Sequence, residues 1–463
     1  MRALRFVLLV DAIAEASREN SASARMQPVA GPGLCGDGPG VGSFLPTSEE
    51  RLAGIAATAA NTAGKYSLII DGPANRAGGA NPISQFRRLW PSLRPGGRYL
   101  IEGLVGVAET TAVSVELQNF IEGLVLQRSP LKGAVASSFA AAKARYLRHP
   151  PPGDLEWVAA IPGGMVAAKR TGEHRREGEA AGNRSHPPDR HPLEEEFTQV
   201  TKDSQIRYCK RWQRRSPGMQ RRCSIHPSKA HFVPLYGRTL VPMRNASGGG
   251  LKRLLEIGLG CTMIAGPGQS VPIWQHYFPA AERWEAEYDA KCSKKWEQTS
   301  EFKATGLRPI LTGDQGNSSD LQRWLDTANA DGAGFDAVID DGGHRNNLIA
   351  QSFKSLWPAV RPGGVYYIED LQTGRSGRND PPGTVEEAER VARHHGVTAD
   401  FMEAVADGLV GASCAADTVC TTFGQSEDAA RGEAAGRRAA AVRSQVAWLF
   451  CGNMACGLGK VCE

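Results

Sequence analysis

The sequence of 463 residues predicts an α/β protein built on a doubly wound, mostly parallel sheet, part of which is duplicated. Three observations support this prediction. Short apolar runs alternate with helical segments in the second half, a glycine turn follows the first of these runs, and one pattern of eighteen residues occurs twice. Strands that alternate with helices form parallel sheets with right-handed crossovers.

The repeated pattern covers eighteen residues in each half of the chain. Gln85–Glu102 (QFRRLWPSLRPGGRYLIE) and Ser352–Glu369 (SFKSLWPAVRPGGVYYIE) are identical at eleven of eighteen positions. An apolar run that ends in aspartate precedes each copy, Tyr66–Asp71 in the first and Phe335–Asp340 in the second. Because order and spacing are both kept, we interpret the pattern as an internal duplication.

The repeat divides the chain into three parts. Residues 1–168 are interpreted as a degenerate, N-terminally truncated repeat, and residues 230–463 as the complete copy. Residues 169–229 are rich in Arg, Glu, His and Pro and lack apolar periodicity, which predicts a charged flexible linker. When the copies are aligned, the apolar run Ala3–Ala14 is a buried strand, and a secretory signal peptide is the alternative.

Composition limits the partners and the location. The chain has 54 Lys and Arg against 49 Asp and Glu, a net charge of +5, which gives no reason to expect a nucleic-acid partner. No stretch approaches the roughly 20 apolar residues that span a bilayer. We therefore expect no membrane partner and a cytoplasmic location. The ten cysteines include no CxxC pair, so we expect mostly reduced thiols.

The second copy contains five predicted strands and four predicted helices. The strands, in chain order, are Arg253–Ile257, Arg283–Tyr288, Arg308–Leu311, Phe335–Asp340 and Val365–Ile368. The helices between them are Ser270–Phe278, Asp289–Trp296, Ser319–Ala328 and Asn347–Ala359. The uninterrupted apolar character of the fourth strand is typical of a parallel strand buried on both faces.

Candidate ligand-binding residues lie at the ends of the first three strands. Ligands of such sheets bind at the carboxyl ends of the strands, near the reversal of strand order. Gly258 and Gly260 follow the first strand and permit close approach of the backbone. Glu287 or Asp289 closes the second strand, where a carboxylate can accept both hydroxyls of a ribose. Asp314 closes the third strand, where it can meet an adenine amine.

Two further carboxylates are candidates for the same cofactor site. Glu256 precedes the glycine turn, and Asp340 ends the fourth strand. Each has a structural alternative. Glu256 would order the glycine loop, and Asp340 would cap the strand end or orient the loop that follows it.

Residues after the fourth and fifth strands predict catalytic chemistry. Asp341 and Asp370 can converge on one hard divalent cation, which prefers oxygen ligands. A metal can lower the pKa of a substrate hydroxyl while a histidine, here His344, removes its proton. The alkoxide would then attack a sulfonium methyl group. Taken alone, His344 would be a loop histidine without a catalytic role, but the combination of DDGGH and ED favours function.

Five separated motifs resemble one family of proteins. They are LLEIGLGC (Leu254–Cys261), GPGQSVPIWQHYFP (Gly266–Pro279), TGDQ (Thr312–Gln315), VIDDGGH (Val338–His344) and RPGGVYYIEDLQT (Arg361–Thr373). They resemble class I S-adenosylmethionine-dependent methyltransferases with a Rossmann-like sheet, among them metal-dependent O-methyltransferases of macrolide sugars and eukaryotic relatives. The resemblance implies S-adenosylmethionine at Gly258, Gly260, Glu287 and Asp314. It implies Mg²⁺ at Asp341 and Asp370, with His344 as the general base. The resemblance does not identify the substrate of this protein.

These observations lead to a first hypothesis and an alternative from another class. The first is Mg²⁺-assisted O-methylation of a hydroxylated small molecule or sugar. The alternative is a non-catalytic, duplicated methyltransferase-like scaffold, because the first copy has no histidine after Asp71 and ends its last matched strand with Glu102 and Gly103. We expect that copy to bind neither cofactor nor metal. We expect either that it packs on the second copy as an intrachain pseudo-dimer or that the protein forms a homo-oligomer. A hydroxylase is disfavoured, because no facial iron site accompanies the cluster.

Overall fold

The computed structural model describes residues 66–72, 81–104, 106–125, 150–170, 193–203, 229–245, 250–263, 266–375 and 442–462, with helical positions at 402, 405, 406 and 409. The run Ala3–Ala14, predicted to be a strand, lies outside them. Within the described residues, no helix has the length and apolar character that crossing a bilayer requires.

Eleven strands of the described chain form one continuous sheet. The first copy contributes β1 (Tyr66–Asp71), β2 (Leu93–Ile101), β3 (Leu155–Ile161) and β4 (Gly164–Lys169). The second copy contributes β5 (Arg253–Ile257), β6 (Glu282–Glu287), β7 (Leu311–Thr312), β8 (Phe335–Asp340), β9 (Val360–Ile368), β10 (Val446–Gly452) and β11 (Ala455–Lys460). Their order across the sheet is β1-β2-β4-β3-β10-β11-β9-β8-β5-β6-β7.

Helices connect these strands. The first copy has α1 (Pro82–Leu89) and α2 (Gly106–Val125), and a helix at 193–203, α3, follows it. The second copy has α4 (Val233–Thr239), α5 (Val271–Tyr277), α6 (Ala290–Glu297), α7 (Ser300–Thr305), α8 (Ser318–Ala328), α9 (Asn346–Leu356) and the short α10 (Gln372–Arg375).

The strand order is symmetric about the junction of β3 and β10, except that β5, β6 and β7 have no counterpart among the described strands of the first copy. There β3 of the first copy pairs antiparallel with β10 of the second, with Leu449 opposite Ala160. Moving outward, β4 and β11, then β2 and β9, then β1 and β8 occupy equivalent places. The outermost strands of this symmetric part pair in the same way, β1 with β2 and β8 with β9, and both pairs are parallel. The two copies therefore share one sheet within a single chain.

The second copy has the predicted doubly wound topology. Strand β5 pairs in parallel with both β6 and β8, so the chain winds outward through β6 and β7 on one side and through β8 and β9 on the other. Strands β5 and β8 begin and end where they were predicted. The third strand is shorter than predicted and consists of Leu311–Thr312, and the fifth begins earlier, at Val360. The hairpin of β10 and β11 was not predicted.

Apolar side chains cover both faces of the sheet. Because successive residues of a strand point to opposite faces, Tyr366 and Tyr367 of β9 lie in two different clusters. Helices α1, α2, α8 and α9 pack on the Tyr366 face. Helices α3, α4 and α5 pack on the Tyr367 face. This three-layer arrangement leaves the carboxyl ends of the parallel strands as the edge where loops meet.

The prediction of a flexible linker over residues 169–229 is wrong for α3. Leu193, Phe197 and Val200 are spaced as one face of a helix, and Phe197 is fully buried. The Phe197 ring stacks on Tyr277 of α5 with the ring centroids 5.6 Å apart. The surrounding charged residues concealed this short apolar face, so composition indicated a linker where the chain packs on the second copy.

The expectation of reduced thiols is also wrong for the described cysteines. Cys261 is bonded to Cys292, and Cys451 to Cys456. Cys462 is disulfide-bonded as well. Cys261 and Cys292 are 31 positions apart, which matches no recognisable spacing motif, and the tertiary structure brings the Cα atoms of the two cysteines to 6.0 Å.

Candidate functional site

The glycine turn after β5 is held against the loop that follows β8. Gly258 has φ +108° and Gly260 has φ +85°, conformations that L side chains rarely adopt. A Cβ atom at Gly258 would collide with the carbonyl oxygen of Asp341. The Asp341 amide also donates to the carbonyl oxygen of Ile257 at 3.0 Å. The predicted cofactor turn and the predicted metal loop are therefore in direct backbone contact.

Glu287 lies beside this turn at the end of β6. Its carboxylate accepts hydrogen bonds from the backbone amides of Cys261, at 3.2 Å, and of Asp289, at 3.0 Å. The Asp289 side chain instead accepts from the amide of Cys292 at 2.9 Å and caps the start of α6. Of the two predicted alternatives, Glu287 is thus the carboxylate joined to the glycine turn.

Asp314 lies farther along the same edge. Thr312, the last residue of β7, is in register with Glu287 of β6, so Asp314 extends past the sheet. Its Oδ1 accepts from the amide of Gly316 at 2.8 Å, and its own amide donates to Asp320 at 2.8 Å. These bonds hold a tight turn, with the Asp314 side chain partly exposed.

The Asp340 carboxylate is engaged inside the protein. It is almost completely buried, and its Oδ2 accepts from the Ser352 hydroxyl at 2.5 Å and from the Tyr366 hydroxyl at 3.3 Å. Its Oδ1 accepts from the Gln315 amide group at 3.0 Å. These contacts match the structural alternative for Asp340, in which it orients the loop that follows β8.

Glu256 is likewise fully buried and engaged on both oxygens. Its Oε2 accepts from the Ser270 hydroxyl at 2.6 Å and from the Trp274 indole at 2.8 Å. Its Oε1 lies 2.8 Å from the ammonium group of Lys229. These contacts tie β5 to α5 and favour the alternative in which Glu256 orders the glycine loop.

Asp341, His344 and Asp370 converge as predicted. The Nε2 atom of His344 lies 3.8 Å from Asp341 Oδ1 and 3.6 Å from Asp370 Oδ2. His344 and Asp370 have φ values of +53° and +54°, which are uncommon for residues other than glycine and are found at functional sites. The Gln372 side chain donates to the other oxygen of Asp370 at 2.9 Å. Two loops with unusual backbone conformations thus present their side chains to each other.

The donor set of this cluster fits a divalent cation. One donor atom from each residue lies within 4.8 Å of the other two, and all three side chains are partly exposed. Carboxylate and imidazole groups are ligands of divalent metals. His344 Nδ1 is buried and has no hydrogen-bond partner among the described residues, whereas its Nε2 faces both carboxylates.

Lys229 is a site residue that the sequence did not indicate. Its ammonium group lies 2.7 Å from Asp341 Oδ2, 2.7 Å from Glu369 Oε1 and 2.8 Å from Glu256 Oε1. The Tyr236 hydroxyl donates to the same oxygen of Glu369. Burial by itself would lower the pKa of Lys229, but the three carboxylates, Asp341 first, raise it well above its ordinary value. A charged lysine therefore lies within the carboxylate cluster.

The sequence carried no local signal for Lys229. This residue is the last of the predicted linker, 169–229, and 112 residues separate it from Asp341. The one available hint was the apolar pattern that begins directly after it, where α4 packs against β10 and β11 through side chains such as Leu235.

Part of this chain is similar in sequence to known proteins. The chain matches no protein-family model. It is 34% identical over 155 residues to mycinamicin VI 2''-O-methyltransferase from Micromonospora griseorubida, a match that covers 32% of this chain and 35% of that protein. Demethylmacrocin O-methyltransferase from Streptomyces fradiae is 33% identical over 155 residues, with 32% and 35% covered. Over about a third of its length, the chain is therefore related to O-methyltransferases.

The extent of these matches is limited. The chain spans about a third of the length of the curated relatives it matches. Among solved structures, the MycE methyltransferase from the mycinamycin biosynthetic pathway, in complex with Mg and SAH, is 24% identical with a TM-score of 0.32. That match covers 50% of this chain and 49% of the other.

Proposed function

We propose that this protein is an S-adenosylmethionine-dependent methyltransferase that methylates a hydroxyl group of a small molecule or sugar, assisted by Mg²⁺. The observation that carries the proposal is the contact between the glycine turn at Gly258 and the loop that bears Asp341 and His344. A turn suited to a nucleoside cofactor and a cluster suited to deprotonating an alcohol therefore share one edge of the sheet. The relatedness to O-methyltransferases over about a third of the chain supports this proposal.

The cofactor would lie along the carboxyl ends of β5, β6 and β7. Gly258 and Gly260 would allow the backbone to approach its methionine end. Glu287 would accept the ribose hydroxyls, and Asp314 would meet the adenine. The proposal is supported by the joint placement of these residues at successive strand ends, with Glu287 hydrogen-bonded to the glycine turn.

The acceptor hydroxyl would bind beside Asp341, His344 and Asp370. Asp341 and Asp370 would hold Mg²⁺, which when bound lowers the pKa of a coordinated hydroxyl. His344 would accept the hydroxyl proton at Nε2, the atom that faces both carboxylates. The oxygen would then take the methyl group from the sulfonium, leaving S-adenosylhomocysteine.

A non-catalytic scaffold remains the second candidate. It is favoured by the first copy, which supplies four strands of the shared sheet although its β2 is followed by Glu102 and Gly103 instead of Glu369 and Asp370.

For the cellular location, the cytoplasm stays a prediction. The disulfide bonds of the five described cysteines favour an oxidising compartment instead.

Calorimetric titration with S-adenosylhomocysteine tests the cofactor site, and methyl transfer from radiolabelled S-adenosylmethionine to a panel of sugars and phenols tests the activity. We expect binding that weakens in Glu287→Gln and Asp314→Ala, and transfer that EDTA abolishes. Lys294→Ala, an exposed position on α6, is the matched control. Absence of cofactor binding, or equal binding in both site variants, would contradict the methyltransferase proposal. Full methyl transfer in the presence of EDTA would contradict only the role of Mg²⁺ and would leave the methyltransferase proposal intact.

A further inference from the structure

Lys229 is distinguished by its surroundings. Its side chain is 2% exposed, and an ammonium group so deeply buried is costly unless paired. An ammonium group has three N–H donors. Here three carboxylate oxygens lie within 2.8 Å of it, one each from Glu256, Asp341 and Glu369. Asp341 and Glu369 accept hydrogen bonds from this group, and Glu256 is its ion-pair partner, so Lys229 contacts three segments of the chain.

Those three segments belong to the three central strands of the second copy. Glu256 is in β5, Asp341 follows β8, and Glu369 follows β9. In the sheet these strands are neighbours in the order β9-β8-β5. Lys229 itself lies outside the sheet, at the start of the segment that leads into α4, with φ +62°. One side chain thus joins three strand ends at the edge that carries the proposed site.

The two oxygens of the Asp341 carboxylate have different neighbours. Oδ2 lies 2.7 Å from the ammonium group of Lys229, and Oδ1 is the oxygen nearest to His344 Nε2, at 3.8 Å. Because the buried lysine fixes Oδ2, the direction in which Oδ1 points is also defined. Without the lysine, Asp341 would adjoin two buried carboxylates, Glu256 and Glu369, and repulsion between the carboxylates would favour turning Asp341 away from this position.

We infer that Lys229 is a positioning residue of the active site, which holds Asp341 oriented so that its other oxygen is presented beside His344 and Asp370 for the divalent cation. The inference rests on the proposed function, since it assigns Lys229 a role toward the metal of that site. Lys229 would act through Asp341, since its own side chain is buried behind the three carboxylates. Groups that orient metal ligands from outside the coordination shell affect metal affinity by about 10- to 100-fold.

Binding of Mn²⁺ alone, followed by electron paramagnetic resonance, tests the inference without any turnover. We expect Lys229→Met to weaken Mn²⁺ binding by about 10- to 100-fold. It should change the affinity for S-adenosylhomocysteine, measured by calorimetry, by much less than that. Lys229→Arg should recover part of the Mn²⁺ affinity, because it retains the charge. Lys252→Met, at an exposed position before β5, is the matched control and should bind Mn²⁺ as the unaltered protein does.

A folded Lys229→Met protein that binds Mn²⁺ as tightly as the unaltered protein, or more tightly, would overturn the inference. Tighter binding would mean that the ammonium group competes with the cation. If the single variant does not fold, the double variant Lys229→Met/Glu256→Gln removes one carboxylate together with the lysine and is compared with Glu256→Gln alone. The same weakening is expected, and equal affinities would overturn the inference.

The failure of the proposed function gives a different pattern. If the unaltered protein binds S-adenosylhomocysteine but no Mn²⁺, the metal part of the proposed function fails, and the inference fails with it. If the unaltered protein binds Mn²⁺ and Lys229→Met binds it equally well, only the role of Lys229 is wrong.

Discussion

The hydroxyl of Thr373 lies 2.9 Å from the carbonyl oxygen of His344 and so connects the loop after β9 to the loop after β8. It also lies 2.8 Å from the carbonyl oxygen of Asp370. Both carbonyls belong to residues with positive φ. A single hydroxyl group therefore links the backbones of two residues of the candidate metal cluster, and this link suggests the first prediction.

Replacing Thr373 with valine should weaken Mg²⁺-dependent methyl transfer, because the two loops lose the group that joins them. The loss of one hydrogen bond should also reduce the free energy of unfolding by about 1 kcal/mol. Thr373→Ser keeps the hydroxyl and serves as the control. Steady-state kinetics at varied Mg²⁺ and denaturant unfolding measure the two effects. Equal Mg²⁺ dependence in the valine and serine variants would show that the link has no role in the cluster.

Replacing His344 with alanine should abolish most of the activity while leaving cofactor binding intact. A positioned general base typically contributes about 10²- to 10⁴-fold to the rate, and we expect kcat to fall within that range. The affinity for S-adenosylhomocysteine, measured by calorimetry, should not change. His276→Ala removes a half-exposed histidine on α5 and is the control. A His344→Ala enzyme with normal kcat would exclude this residue as the base.

Replacing Asp340 with asparagine separates the two interpretations of this residue. If Asp340 is structural, the variant should unfold more easily, by about 1.5–3 kcal/mol for the loss of charge-assisted hydrogen bonds from Ser352 and Gln315. Cofactor affinity in the folded variant should then be unchanged. Thermal unfolding and calorimetric titration report the two properties. A loss of cofactor affinity without a loss of stability would instead favour a direct contact with the cofactor.

Replacing Glu285 with glutamine should make the protein more stable at neutral pH. Burial, and next the adjacent Glu256 carboxylate, raise the pKa of Glu285 well above its ordinary value. A carboxyl group with a raised pKa in the folded state binds its proton more tightly there than in the unfolded chain. The free energy of unfolding therefore falls as the pH rises above about 4.3, the ordinary pKa of glutamate. Glutamine does not titrate and avoids this loss.

The measurement for Glu285 is the melting temperature of both proteins between pH 4 and pH 7. We expect the advantage of Glu285→Gln to grow as the pH rises through this interval. Glu297→Gln, a partly exposed residue at the end of α6, controls for the general effect of removing a negative charge. If the difference in melting temperature between Glu285→Gln and the unaltered protein is the same at every pH, Glu285 does not gain a proton on folding.

Replacing Cys261 and Cys292 together with serine should destabilise the protein and weaken cofactor binding. The disulfide joins the glycine turn to α6. Cys261 in that turn also donates its backbone amide to the Glu287 carboxylate. Closing a loop of 31 residues contributes about 3–4 kcal/mol in the chain-entropy model. Cys451 and Cys456, only 5 residues apart, give a smaller expected loss and serve as the comparison. An unaltered affinity for S-adenosylhomocysteine would show that the bond has no part in shaping the turn.

Local patterns were sufficient for much of the fold and for part of the site. Strands β5 and β8 were predicted to the residue, because continuous apolar runs bounded by glycine or aspartate are short-range signals. The convergence of Asp341, His344 and Asp370 followed from the strand order of a doubly wound sheet. The structural engagement of Glu256 and Asp340 was foreseen only as an alternative, since their partners Trp274 and Ser352 lie on helices whose rotation the sequence does not specify.

The sequence by itself therefore determined the alternating elements, the glycine turn and the carboxylates at the strand ends, because each depends on neighbouring residues. Only the tertiary structure decided the symmetric joining of the two copies through β3 and β10, the packing of α3 and the pairing of Cys261 with Cys292. It also decided the position of Lys229, which reaches Asp341 across 112 residues of chain. Contacts of that range depend on how whole layers pack, and no local pattern of polarity encodes them.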